Sequence, residues 1–335
     1  MPENEYHRNL GLTDEDALRM YRIMLTARAI DDRASILVRQ GKIAFTVGGQ
    51  GHEAAQVGAA WALQPGVDWV LPYYRDVGVV LTLGMSITQV FLGELGKADD
   101  PCSGGRQMPK HWSYPELRIV GGSSPVATQL PQAVGCALAG RLLGEKAIAW
   151  VSFGDGAVSK GDFHEAVNFA AIHRLPVVFF CENNRYAIST PFEQQSPVDS
   201  VAIRATAYGI PGVSVDGSDV LAVYAASQEA ANRARAGDGP TLLEACTYRF
   251  CPHTSNDDDL RYRTKEEVAK ARKRDPLIVF ANYLNQVGLL TPAADENLQQ
   301  EVEQQVAQAA LDAAAASDPD PNSALRFVYA EEGSD

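Results

Sequence analysis

Gly154-Asp155-Gly156 is followed, after 26 intervening residues, by Asn183-Asn184. Residues of these types at this spacing can hold a divalent cation and the diphosphate it neutralises. Magnesium takes about six hard oxygens in octahedral array, and proteins usually supply one or two carboxylates and leave the remainder to phosphates and water. The Asp155 carboxylate and the Asn184 amide oxygen give two donors, and the backbone carbonyl of Tyr186 can give a third. Gly154 and Gly156 let the backbone approach phosphate with no Cβ in the way. Gly-Asp-Gly is also an ordinary turn, and the chain holds a second copy, Gly237-Asp238-Gly239-Pro240. That copy has no apolar run before it, and the same spacing downstream lands on Glu266-Glu267, so it reads as a plain turn.

The elements around the first copy are those that would position a ligand. Two apolar runs, 147–153 and 176–181, read as strands buried on both faces of a parallel sheet. Between them, 162–173 carries Phe163, Ala166, Val167 and Ala170 on one helical stripe, which makes a strand-helix-strand crossover. Asp155 and Asn184 then stand at the carboxyl ends of parallel strands, where open α/β sheets bind ligands. A second crossover follows: a short strand at 213–215, a turn at Asp216-Gly217-Ser218, a helix over 219–236 and a strand at 241–245. Thr13 to Asp16 resembles a capping box opening a helix with Leu18, Tyr21, Met24 and Leu25 on its stripe and an end near Gly41. The tail from 297 to 316 is rich in Ala, Gln and Glu and reads as a surface or interface helix. No repeat or clear linker is visible, so the chain divides into a helical arm (1–45), an α/β domain (46–290) and a helical tail (291–335).

With these residues in place, the pattern resembles the thiamin diphosphate motif. From about Thr13 to Pro276 the sequence is similar to the α subunit of the decarboxylating component of 2-oxo acid dehydrogenase complexes. The segment Gly105-Arg106-Gln107-Met108-Pro109-Lys110-His111 looks like the branched-chain type, whereas pyruvate enzymes typically carry Gly-Gly-Ser-Met-His there. The resemblance implies a thiamin diphosphate-binding α/β fold with a mostly parallel sheet flanked by helices and helical extensions at both ends. It implies Mg2+ on Asp155, Asn184 and Tyr186, and a cofactor held by Tyr74, Arg75, Ser124, Val126, Gly154, Asp155, Gly156, Asn184, Tyr186 and His253. Arg75 matches an arginine that grips the diphosphate through its bidentate fork; on local sequence alone it could equally pair with Asp76. Ser124 and Val126 match contacts to the aminopyrimidine, although a valine is more often simple core.

His253 lies in the long irregular segment 248–263, matches a histidine beside the reacting centre, and is the expected catalytic residue. The aspartates of that segment read as paired within the loop. Thr254 stands where mitochondrial relatives carry a phosphorylated serine, and such regulation is not expected here. The resemblance further implies oxidative decarboxylation with acyl transfer to a lipoyl group. A separate β subunit would complete the site in an α2β2 heterotetramer, because the glutamate that activates the cofactor belongs to a second domain absent from this chain, and a lipoyl-bearing acyltransferase core would bind the assembly. Two positions depart from the family pattern: Lys160 stands where glutamate is usual, and Glu182 where some members have an arginine on the diphosphate, leaving Arg185 as a replacement cation. His52 is left undecided, and Glu53 reads as a helix-start charge.

Composition agrees. The 335 residues are 46% hydrophobic with a net charge of −13, which describes a globular chain with ample core and argues against nucleic acid. An anionic cofactor and substrate must then be met by local cations, with Arg75, His111, Arg249 and His253 as candidates. Residues 1–10 do not read as a targeting signal and no apolar run nears the ~20 residues of a membrane helix, so a cytoplasmic protein is expected. The five cysteines show no metal spacing and read as free thiols, with Cys136 and Cys181 in the core. Three alternatives remain open: a pyruvate- or acetoin-specific relative, a nicotinamide oxidoreductase using Gly154-Asp155-Gly156 as a dinucleotide turn, with Glu182 on ribose and Ser159 where a third glycine belongs, and a non-catalytic cofactor-binding subunit.

Overall fold

The structure, a computed structural model, describes residues 5–326 together with 328 and 329. Residues 1–4 of the stretch read for a targeting signal, and 327 and 330–335 of the tail, lie outside it. Its centre is a five-stranded, all-parallel sheet of β1 (Trp69–Leu71), β2 (Ala149–Gly154), β3 (Val177–Asn183), β6 (Gly212–Asp216) and β7 (Thr241–Cys246), in the spatial order β1-β2-β3-β7-β6. β4 (Tyr186–Ala187) and β5 (Thr190–Pro191) form a small antiparallel hairpin beside it. Every residue of β3 is buried, as is β2 up to Gly154, which is what two uninterrupted apolar runs require of central strands covered on both faces. The helices Gly161–Ile172 and Val220–Arg235 join β2 to β3 and β6 to β7, so both expected crossovers form.

The helix Asp14–Arg39 opens with Thr13 Oγ1 accepting from Asp16 N at 3.1 Å while Asp16 Oδ2 accepts from Thr13 N at 2.9 Å, the reciprocal cap expected from the sequence. The tail helix Pro292–Ala315 is not simply a surface element. Val302, Val306, Ala309, Ala310 and Ala313 recur at helical spacing, are buried, and join Met20, Met24 and Phe91 in one core that also holds Val178 and Phe180 of the sheet. A small-residue stripe in an otherwise polar helix was enough for close packing. The other core lies on the opposite face of the sheet, where Val151, Phe153 and Phe179 meet Phe163 and Val167. The cysteines are free; Cys181 is buried in β3, but Cys136 is only half-buried because it sits towards the outer side of its helix. Among the described residues no helix is long and apolar enough to cross a membrane.

Candidate functional site

Gly154 of β2 pairs in register with Glu182 of β3, so the chain leaves the two strands side by side, with Asp155 just past one end and Asn184 just past the other. A cavity of about 360 Å³ opens there, at the carboxyl edge of the sheet. Its wall brings together Tyr74, Arg75, Ser124, Val126, Gly154, Asp155, Gly156, Asn184, Tyr186 and His253, from five separate stretches of the chain.

One end of the cavity is built around Asp155, which is 1% exposed. Burial raises its pKa, and the Gln195 side-chain amide, donating to Oδ2 at 2.8 Å, only partly offsets this. A carboxylate so placed is in deficit of positive charge, which a dication would supply. Asn184 Oδ1 accepts from Tyr186 N at 3.2 Å, tying the amide to the backbone that follows it. The neighbouring Asn183 instead donates to Glu244 Oε1 at 2.7 Å, and Glu244 in turn accepts from the N–H groups of Val201 and Ala202. Among the described residues no three His, Cys, Asp or Glu side chains cluster as a metal site. One carboxylate with neutral oxygens is the donor set that magnesium completes with phosphate and water. Gly156 closes the floor, since a Cβ there would fall 2.8 Å from the Ala187 Cβ.

The alternative pairing of Arg75 with Asp76 does not form. Arg75 is 1% exposed; its guanidinium donates to Gly48 O, to His253 O at 3.1 Å and to His253 Nδ1 at 2.9 Å, and lies over the Tyr74 ring. Burial, followed by the charges of Arg75 and Arg249, lowers the His253 pKa to about 4. The imidazole is therefore neutral near pH 7.

At the other end, His111 Nδ1 donates to Met108 O at 3.0 Å, so its Nε2 accepts from the Ser124 hydroxyl at 2.8 Å. Val126 is 50% exposed and lies on the cavity wall rather than in the core, and the next residue, Ala127, holds φ at +77°. Ile188, with φ at +57°, adds a second exposed apolar side chain to the same wall. Ile188, Trp112 and Gln195 were not singled out from sequence, and Lys110 only as part of the segment 105–111. An apolar residue in a turn was the one available sign for Ile188; nothing local marked Trp112 or Gln195. Lys110 reaches the site as a buried ammonium that donates to Asp31 at 2.8 Å and lies 3.4 Å from Glu94.

The departures resolve in different ways. Lys160 is exposed and does not line the cavity, so its charge faces solvent. Arg185 does not replace a phosphate-binding arginine: its guanidinium pairs with Glu193 and lies over Phe192. Glu182 points beneath the cavity, where Oε2 accepts from His52 Nδ1 at 2.5 Å and from Gln56 Nε2 at 3.2 Å. It is thus committed elsewhere than to a ribose, and His52 is a buried structural partner. Glu53 does start a helix, but buried, accepting from Arg28 Nε and from Gly51 N. Arg249, one of the candidate cations, is buried outside the cavity wall and anchors the loop: it donates to Tyr262 Oη at 2.9 Å, Tyr262 donates to Asp257, and Asp257 accepts from His253 N at 2.8 Å. With Asp259 on Arg263 and Asp258 near Arg261, the loop aspartates are paired internally.

The profile of the dehydrogenase E1 component family matches residues 21–322. The 2-oxoisovalerate dehydrogenase subunit alpha of Bacillus subtilis is 52% identical over 325 residues, covering 97% of this chain and 98% of that protein. The 3-methyl-2-oxobutanoate dehydrogenase subunit alpha of Mycobacterium tuberculosis is 42% identical over 333 residues, covering 98% of this chain and 86% of that one. A pyruvate dehydrogenase E1 component subunit alpha from Staphylococcus aureus is 42% identical over 279 residues, covering 83% of this chain and 72% of that one.

Proposed function

The chain belongs to the dehydrogenase E1 component family, whose members depend on thiamin diphosphate, and from that premise we propose that it is the α subunit of an enzyme that oxidatively decarboxylates branched-chain 2-oxo acids of the 3-methyl-2-oxobutanoate type. The acyl product passes to a lipoyl group. The observation that carries the reading is the convergence, on one cavity, of a buried carboxylate with no ion-pair partner among the described residues, a neutral histidine and an apolar wall. The branched-chain choice draws on the loop from Gly105 to His111, of which Lys110 and His111 reach the cavity.

In this reading Asp155, the Asn184 amide oxygen and the Tyr186 carbonyl hold Mg2+. Gly154 and Gly156 admit the diphosphate, Arg75 and Tyr74 flank it, and Ser124 and Val126 meet the aminopyrimidine. Bound thiamin diphosphate supplies the electron sink for the bond that releases carbon dioxide. The protein orients and shields. Val126, Ile188 and Trp112 keep water from the reacting face. His253, with Nδ1 occupied by Arg75, offers Nε2–H to a developing negative oxygen or to the substrate carboxylate.

Asp155 is the one carboxylate on the cavity wall among the described residues, and it is assigned to the metal. In this reading the carboxylate that activates the pyrimidine comes from a β subunit, in an α2β2 heterotetramer that a lipoyl-bearing acyltransferase core binds, as in the family the chain belongs to. A cytoplasmic location belongs to the same reading. The test is acceptor-linked decarboxylation by the chain co-purified with its partner, thiamin diphosphate and Mg2+, on 3-methyl-2-oxobutanoate and pyruvate in parallel. Preference for the branched acid is expected. Preference for pyruvate overturns the substrate class, and cofactor binding without turnover of either acid overturns catalysis.

A further inference from the structure

We infer that His52 and Glu182 are positioning residues for this site, holding the wall from Tyr73 to Arg75 in place and, through Arg75, setting the orientation of His253. Both are 0% exposed, both lie behind the cavity rather than on it, and neither has a role in the proposed chemistry.

Glu182 Oε2 is the hub. Besides His52 Nδ1 and Gln56 Nε2, it lies 3.3 Å from the Tyr73 hydroxyl, which donates to it. Gln56 Nε2 also donates to the carbonyl of Arg75 at 2.9 Å, while Gln56 Oε1 accepts from Gly78 N at 3.0 Å. Glu182 therefore grips the segment twice, once through a side chain and once through its backbone. Asp76 completes the clamp by accepting from Tyr73 N and from Ser152 of β2. These bonds leave Asp76 Oδ1 and Glu182 Oε1 buried without a partner among the described residues, and burial followed by the charge of Glu182 holds the Asp76 carboxyl well above the usual carboxylate range. His52 N donates to Gly49 O, and the adjoining Gly48 carbonyl is the other acceptor for Arg75. The carbonyl of the arginine is thus tied through Gln56 to Glu182, and its guanidinium to a strip that the His52 backbone also holds.

A cluster this polar is a costly way to fill a core. His52 Nε2 is buried with no partner, a penalty that an apolar residue would avoid. What the cluster provides instead is a fixed carbonyl and a fixed phenol behind a guanidinium that must hold an imidazole. That is the support a preorganised site needs.

Hydrogen-deuterium exchange on the full chain, with thiamin diphosphate and Mg2+ added, tests this. His52→Leu removes the donor to Glu182, whereas His52→Gln can keep one. In the leucine variant, exchange over 72–77 and 250–254 should rise at least tenfold while 149–154 and 177–181 stay within twofold of wild type; the glutamine variant should restore most of the protection. Tyr73→Phe, which deletes only a hydroxyl, should give the same pattern at about threefold and serves if His52→Leu does not fold. Protection of 72–77 that stays within twofold, or that falls by the same factor in the central strands, overturns the inference. The kinetic arm rests on the proposed function: at saturating thiamin diphosphate and Mg2+, His52→Leu should lower kcat at least tenfold, and cofactor binding should weaken because Tyr74 and Arg75 stand on the wall it holds. A wild type that turns over neither acid defeats that function and leaves the exchange result standing, whereas flat exchange beside an active wild type defeats only the positioning role.

Discussion

Arg75 Nη2 stands 2.9 Å from Nδ1 of His253, and because a guanidinium can only donate, that nitrogen carries the lone pair and Nε2 carries the proton. Burial and the two nearby arginines hold the His253 pKa at about 4, against 6.5 for an unperturbed histidine. Between those values the unfolded chain binds a proton that the folded chain refuses. The stability contributed by a neutral His253 is therefore complete above pH 6.5 and is lost as pH falls towards 4. Chemical denaturation at pH 7, 5.5 and 4.5 should show a smaller loss for His253→Gln than for wild type. In Arg75→Leu, NMR titration should find the His253 pKa moved upwards; an unchanged value would remove Arg75 as its cause.

Asp155→Ala should abolish magnesium-dependent binding of thiamin diphosphate, a loss of at least a hundredfold by calorimetry. The same change relieves the apo protein of a buried carboxylate that burial already disfavours, so its melting temperature should hold or rise. Normal cofactor affinity in the variant would sink the metal assignment.

Lys110→Met should destabilise the fold by about 3–5 kcal/mol, because it leaves Asp31 and Glu94 buried without their cation. Asp31 also accepts from Gly49 N at 2.6 Å, so the damage should spread to the strip that receives the guanidinium of Arg75. Urea unfolding measures the first effect, and cofactor affinity the second.

Tyr262→Phe deletes the hydroxyl that joins Arg249 to Asp257. The expected cost is about 1–2 kcal/mol, confined to the loop, since two buried or half-buried partners lose a bond. Limited proteolysis should cut between 251 and 262 faster than in wild type, with the global unfolding midpoint little changed.

Much of this arrangement was legible beforehand. β2 and β3 announced themselves as apolar runs of strand length, the crossover helix as a four-residue stripe, and the N-terminal helix by its cap. These are local signals, set by period and by the hydrogen-bonding needs of a helix end. Glycines that mark close approach could also be found, but not what they approach: Gly51, at φ +95°, leaves its missing Cβ only 2.0 Å from the Tyr248 carbonyl, nearly two hundred residues away in sequence.

Sequence alone determined the chemistry available at the sheet edge, because Asp155 and Asn184 follow their strands directly and parallel pairing then brings the strand ends together. Tertiary structure decided whom each remaining polar group would serve. Arg75 could have met Asp76 and meets His253; Glu182 could have faced the ligand and faces His52; Arg185 could have supplied charge and binds Glu193; Val126 could have been core and stands on the wall. Period and propensity say which face of an element is buried, but a hydrogen-bond partner is fixed by distances between elements far apart in the chain, and those exist only once the cores on both faces of the sheet have closed.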